Sequence, residues 1–452
     1  MLKQTAAGAD DLPSWFLRLA APVICSPVAH LFNLSICYSV VPQQWKTSII
    51  TPAPEVKPPL SCSDFRPISI TPILSRLLEK VVVHDFFYPI LVNPRTTHLY
   101  SDQFAFRPTG STTAALIYLL HHVSELLQHH PYVHIVALDF SKAFDTVRHG
   151  ALTTKLQDLP LPDYIYNWVV DYLTDRRHLT RFHDVLSKLA PINASIIQGS
   201  GFGPSAYTFT ASDLHPIHSL NLMAKYADDT YLIVPSSSTS TITSELQAIS
   251  EWAMHNNLKL NESKTQVMVV RRPRFPVSDL PPPIPGLQYV ATLKVLGVQF
   301  SEKLDFSAHV SSIISKVARS MYALRVLKAH GLQGPQLWEV TQATAVSHLI
   351  YASSSWYGFL DLSSKQRLQS VLSKLIRQGF LSVKTQTFEQ ILSHLDTQLF
   401  RSVLNNQNHV LNQLLPPIKF TPYNLRPREH NRILPVVDDR LKKNFIIRML
   451  YK

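Results

Sequence analysis

Apolar residues recur at helical spacing, with charged residues between them, across Ile73–Phe87 and Thr112–Leu127; 12–40 also reads as helical. Short β-rich runs separate such stretches: Trp45–Thr51, Tyr132–Asp139, Lys264–Val270 and Leu293–Phe300. Leu161–Arg177 predicts a helix and Arg181–Ile197 alternating strands, followed by the glycine-rich turn QGSGFGP at 198–204, which opens another helix. Lys225–Val234 (KYADDTYLIV) reads as a hairpin with Ala227, Asp228 and Asp229 at its tip, and Ser244–Asn257 as an amphipathic helix. Arg271–Pro285 is proline-rich and linker-like. Beyond Phe306 the pattern is almost wholly helical, which places a boundary near 300 and gives an α+β region followed by an α region.

Composition adds further constraints. At 452 residues the chain is too long for one average core, so two or three lobes are expected, and 12 Gly against 32 Pro point to stiff, proline-punctuated connections. A formal net charge of +12 favours a polyanionic partner, nucleic acid first, although basic proteins without one are common. Cys25, Cys37 and Cys62 are odd in number and widely spaced, so they read as reduced, buried thiols of an intracellular protein. Leu19–Val41 lacks charge but holds Pro22, Pro27, His30 and Asn33, which predicts a buried helical pair and no membrane partner.

The candidate chemistry lies in acidic residues placed where strands end. Asp139 closes the apolar run VALD, and Asp228 and Asp229 occupy the hairpin tip. Singly, each has an ordinary explanation: Asp139 as N-cap of a helix at 141–147, the Asp pair as a polar turn. Asp145 reads as a helix-borne or turn residue supporting the site. If the two strands are sheet neighbours, three carboxylates converge, a costly arrangement without cations because like charges raise each other's pKa. An aspartate-only cluster suits Mg²⁺, and two such ions clamp the attacking and leaving oxygens of a phosphoryl transfer.

An ordered series then resembles the reverse transcriptases of non-long-terminal-repeat (LINE-type, jockey-like) retrotransposons over essentially the whole chain: VPQQWKTSIITPAPE, DFRPISITPILSRLLEKVV, DQFAFRPTGSTTAAL, ALDFSKAFDTVRHGAL, QGSGFGPSAYTF, KYADDTYLIV, NLKLNESKTQVM, LKVLGVQF and YNLRPREH. The resemblance implies a right-hand polymerase, with fingers in 1–131, an antiparallel palm sheet in 132–300, and a helical thumb with a basic end in 301–452. It implies RNA-directed DNA synthesis, extending a DNA primer 3′-OH on an RNA or DNA template from deoxynucleoside triphosphates, with two Mg²⁺ ions (Mn²⁺ a possible substitute). Asp139, Asp228, Asp229 and the Phe140 carbonyl would hold the metal. Phe144 would face the 2′ position of the incoming sugar, and Gln198 and Gly199 the nucleotide and templating base. Arg66, Arg107 and Lys264 would meet phosphates, and Tyr226 and Gly297 the primer and template.

Several of these residues also have a structural alternative: a core Phe144, a glycine turn at 198–199, salt bridges for Arg66 and Arg107, a solvated Lys264, a bulge at Gly297. Lys316, Arg319, Arg325 and Lys328 would line the thumb beside duplex or simply face solvent. Thr421–Lys452 holds eight Lys or Arg against three Asp or Glu, with Tyr423 and Arg426 suggestive of nucleic-acid contact. Glu55 stands where the family often has lysine, which puts one phosphate contact in doubt, and Phe202 where an aliphatic residue is commoner. No upstream endonuclease or zinc knuckle precedes Met1, so the expectation is a truncated copy, resident in nucleus or cytoplasm and of open oligomeric state. The rival reading is a catalytically inactive, nucleic-acid-binding remnant.

Overall fold

The computed structural model describes residues 5–419 and 430–452. Two compact units interleave along the chain. One comprises Met1–Arg107, Phe140–His215 and Leu246–Asn261; the other comprises Pro108–Asp139, Pro216–Glu245 and Glu262–Lys452.

In the first unit, strand Thr47–Pro54 pairs antiparallel with Phe65–Ile70 and parallel with Arg176–Phe182, which also carries the short strands Val185–Leu186 and Ala190–Ile192. Helix Ile73–Val82 runs on through a π-helical turn at Val83–Phe87 into Tyr88–Val92. Its inward stripe, Ser75, Leu78, Glu79 and Val82, is buried because residues three and four apart share a helix face. The core is aromatic: Phe87 lies 5.3 Å from Phe202 and 5.1 Å from Phe209, centroid to centroid, and Trp168 stacks on Tyr172.

The second unit is built on a five-stranded sheet in the order Gln288–Tyr289, Gln266–Arg271, Tyr132–Leu138, Asp229–Pro235, Leu222–Tyr226. Every pair is antiparallel except the first. The three middle strands are apolar on consecutive residues, and Ile135, Val136, Leu232, Ile233, Val234, Val267 and Met268 are all fully buried. Such unbroken runs mark strands covered on both faces. A hairpin, Thr292–Val295 with Val298–Ser301, precedes a series of helices that starts with Ser307–Ala329.

Several sequence expectations need correction. Ser14–Cys37 is one 24-residue helix, not a buried pair, and continues through Pro22 and Pro27; only Ser14, Leu17 and Ser35 are buried. It is long and apolar enough to cross a membrane. It is tied down near its C-terminal end, where Trp168 Nε1 donates to Ser35 Oγ at 3.0 Å. Apolar composition alone could not show that its faces find few partners. The thiols of Cys25, Cys37 and Cys62 are free but exposed, not buried. The helix read through Arg177 ends at Leu173, and Arg176 begins a strand. The single strand read at Leu293–Phe300 is a hairpin folded at Leu296–Gly297. Tyr423 and Arg426 lie outside the described residues.

Candidate active site

In the second unit, pairing of Tyr132–Leu138 with Asp229–Pro235 sets Leu138 opposite Thr230, so Asp139 and Asp229 adjoin the same end of the ladder. Strand Leu222–Tyr226 returns to pair Tyr226 with Asp229, leaving Ala227 and Asp228 as the turn. Ala227 sits at φ 58°, a left-handed backbone that a residue with a Cβ rarely adopts and that clusters at functional turns. Asp139 and Asp228 are half-buried, while Asp229 keeps exposed surface. Even so, surrounding protein partly desolvates the Asp229 carboxyl, and the charges of Asp228 and Asp139 add to this, pushing its pKa up to about 6. The Asp229 carboxyl therefore feels both of the others. Asp139 caps no helix: the following one spans Ala143–Thr146, and its first flanking residue is Lys142.

Lys264, exposed, lies two residues before Gln266, which pairs with Ala137, and so adjoins the same sheet end. Gly297 turns the later hairpin at φ 85°, and the Tyr351 hydroxyl donates to the neighbouring Leu296 carbonyl at 2.9 Å. Burial, with Tyr351 nearby, raises the pKa of Tyr226. Tyr351 was missed from the sequence; no local pattern links it to a turn more than fifty residues earlier. On helix Ser307–Ala329, Lys316, Arg319, Arg325 and Lys328 face outward while Ile313, Val317, Met321 and Leu324 are buried.

The remaining candidates belong to the first unit. Phe144 is half-buried and stacks on the buried Tyr207 at 4.6 Å. Gln198 donates through Nε2 to Asp145 Oδ1 at 2.7 Å, and its carbonyl accepts from the Ser69 amide at 2.8 Å. Burial raises the pKa of Asp145, the Gln198 bond opposing it. Gly199 has φ 120°, and a Cβ there would stand 2.3 Å from the Ser69 carbonyl oxygen, so close approach as well as conformation demands glycine. The Phe140 ring packs edge-on to Trp252, and the chain beyond it is fastened by the Ser141 amide donating to the Lys259 carbonyl at 2.9 Å.

Arg66 and Arg107 differ. Arg66 is exposed and pairs at 2.9 Å with Glu55, the residue that departs from the family pattern. Arg107 is buried and donates to the carbonyls of Tyr100, Gln103 and Leu91. Desolvation lowers its pKa to about 10. It clamps a loop, and this geometry offers no support for a phosphate contact.

Among the described residues, no group of three or more His, Cys, Asp or Glu side chains forms a ready metal cage. The Asp139, Asp228 and Asp229 donors are nonetheless all oxygen. Mg²⁺ is commonly held by one or two carboxylates and completes its shell with water and substrate phosphate, so the donor chemistry fits without a closed cage.

The jockey mobile element's RNA-directed DNA polymerase from Drosophila melanogaster is 28% identical over 337 residues, covering 71% of this chain and 36% of that protein. A probable RNA-directed DNA polymerase from transposon BS of the same organism is 28% identical over 326 residues, covering 67% of this chain and 35% of that protein. The chain thus spans about a third of the length of these curated relatives. A solved telomerase from Candida tropicalis, in complex with a telomeric RNA fragment, superposes with a TM-score of 0.40 at 12% identity, covering 86% of this chain and 67% of that one, too weak a likeness to add to the fold assignment. Residues 54–300, more than half of the chain, match the profile of one family, and the chain belongs to it: the reverse transcriptases (RNA-dependent DNA polymerases).

Proposed function

We propose that the chain is an RNA-directed DNA polymerase domain of a non-long-terminal-repeat retroelement, extending a primer 3′-OH on an RNA or DNA template. The observation that carries this is the convergence of Asp139, Asp228 and Asp229 on one end of two paired strands, with the Asp229 pKa raised to about 6 by burial first and by the charges of Asp228 and Asp139 next. A cluster that repels itself is a poor device for stability and a good one for gathering cations.

In this reading 1–131 serves as fingers, 132–300 as palm and 301–452 as thumb. Asp139 and Asp228, with the Phe140 carbonyl and Asp229, would hold Mg²⁺, which would supply charge to ease formation of the attacking oxyanion and to offset charge on the leaving pyrophosphate. Phe144, braced on Tyr207, presents bulk against a ribose 2′-hydroxyl and so favours deoxynucleotides. Gln198, its carboxamide held by Asp145, and Gly199 offer backbone close to the nascent base pair. Arg66 and Lys264, both exposed, meet triphosphate oxygens. Tyr226 and the Gly297 turn position the primer end, and the outward cations of helix Ser307–Ala329 meet backbone phosphates of the duplex.

The test is incorporation of dTTP on poly(rA)/oligo(dT) with Mg²⁺, comparing the purified chain with Asp228→Asn. Incorporation abolished by the substitution is expected. A folded wild-type chain that binds the duplex but incorporates nothing would replace this reading with that of an inactive nucleic-acid-binding remnant.

A further inference from the structure

Glu79, on helix Ile73–Val82, is fully buried, yet no step above uses it. Its carboxyl oxygens accept hydrogen bonds from Ser75 Oγ at 2.7 Å, the Gly201 amide at 2.6 Å and the Phe202 amide at 3.0 Å. The fully buried Tyr172 phenol lies against the same carboxyl and against Ser200, and its pKa is pushed up by burial first and by Glu79 next. Gly201 and Phe202 stand just before helix Gly203–Thr210, where backbone amides lack partners within the helix.

Capping alone does not account for this arrangement. The Gly203 amide already donates to Ser200 Oγ within the same turn at 2.8 Å. Burying a carboxyl group is costly, and buried ionisable groups are poor evidence for stability alone. What Glu79 adds is a tie between this loop and a separate helix. The approach is as close as the chain permits, since a Cβ on Gly201 would stand 2.9 Å from both the Arg76 carbonyl oxygen and Glu79 Cβ. Two residues upstream, the same loop carries Gln198 and Gly199, held in turn by Asp145 and Ser69.

We propose that Glu79 is a positioning residue: by clamping the Gly201 and Phe202 amides onto helix Ile73–Val82, it fixes the Gln198–Gly199 turn and thereby the affinity for the incoming deoxynucleoside triphosphate. This rests on the polymerase reading above. The residue never touches substrate; it acts through the loop.

The experiment is steady-state primer extension on poly(rA)/oligo(dT), giving KM for dTTP and kcat separately for wild type, Glu79→Gln and Gly201→Ala, with a thermal melt of each. Glu79→Gln keeps the shape but replaces the charged oxygen that both amides share with a neutral one and puts a donor toward Ser75; Gly201→Ala leaves Glu79 intact and forces the loop off the helix. Both are expected to raise KM for dTTP about ten-fold while kcat stays within about three-fold. Unchanged KM with kcat lowered in proportion to the folded fraction overturns the inference and leaves the polymerase intact. So does failure of both variants to fold, because the clamp would then serve only the fold. No incorporation by folded wild type overturns the polymerase reading, and the inference with it.

Discussion

Gly199→Ala tests whether the glycine-rich turn is dictated by the fold. Its φ of 120° lies where side chains are disfavoured, and the new Cβ would meet the Ser69 carbonyl oxygen at 2.3 Å, against an ordinary contact starting at 3.4 Å. The obstacle is backbone, which cannot rotate aside as a side-chain tip would. Separating the segments by about 1 Å stretches the 2.8 Å bond from the Ser69 amide to the Gln198 carbonyl. A strained backbone conformation costs about 1–3 kcal/mol and a lost hydrogen bond about 1 kcal/mol, so a loss of about 2–4 kcal/mol is expected. Urea unfolding followed by circular dichroism reads this as a lowered midpoint with unchanged slope. Gly150→Ala is the control: nothing lies within 4 Å of its Cβ position. It starts a helix, so alanine there should be neutral or stabilise by up to about 1 kcal/mol. Gly199→Ala within about 0.5 kcal/mol of wild type would refute the reasoning, because surface substitutions away from special features fall in that range.

Three further outcomes follow from the geometry. Asp229, with a folded pKa raised to about 6 from 3.8, takes up a proton on folding between those values. Its contribution to stability is therefore fully present below about pH 4 and is lost as pH rises through 6; in Mg²⁺-free buffer the fall in Tm between pH 5 and 7 should be shallower in Asp229→Asn, and identical slopes would contradict the raised pKa of Asp229. Arg107→Ala should destabilise by about 2–3 kcal/mol by stranding buried carbonyls, with KM for dNTP unchanged in the folded fraction, whereas a KM effect without loss of stability would return Arg107 to the phosphates. Glu55→Gln breaks an exposed pair, so its stability change should stay under about 1 kcal/mol; if Arg66 meets triphosphate, KM for dNTP should fall, and an unaltered KM would release Arg66 from that role.

The main chemistry was legible in linear order because strand residues declare themselves locally. VALD and YADD each couple an apolar run to terminal carboxylates, and the sheet pairs those two strands. The hairpin at 222–235 and the helix entry after QGSGFGP follow from equally local signals, a turn between alternating runs and glycine before a helical segment. Glu79 left a trace, a charged residue on the inward face of an amphipathic helix, but its loop partners Gly201 and Phe202 stand more than a hundred residues away.

Other features had no local signature. Whether Arg107 meets phosphate or carbonyl depends on where the 91–103 segment folds back, and Arg66 found Glu55 only because two strands pair antiparallel. The exposure of helix Ser14–Cys37 was equally hidden, since apolar composition states a preference for burial without supplying the surface that provides it. The sequence by itself determined most of the elements, the acidic strand ends and the family they belong to, because periodicity and turn chemistry act over a few residues. Tertiary structure alone decided which buried polar groups are clamps and which acidic groups share a field, because desolvation and hydrogen-bond satisfaction depend on neighbours brought in from distant parts of the chain.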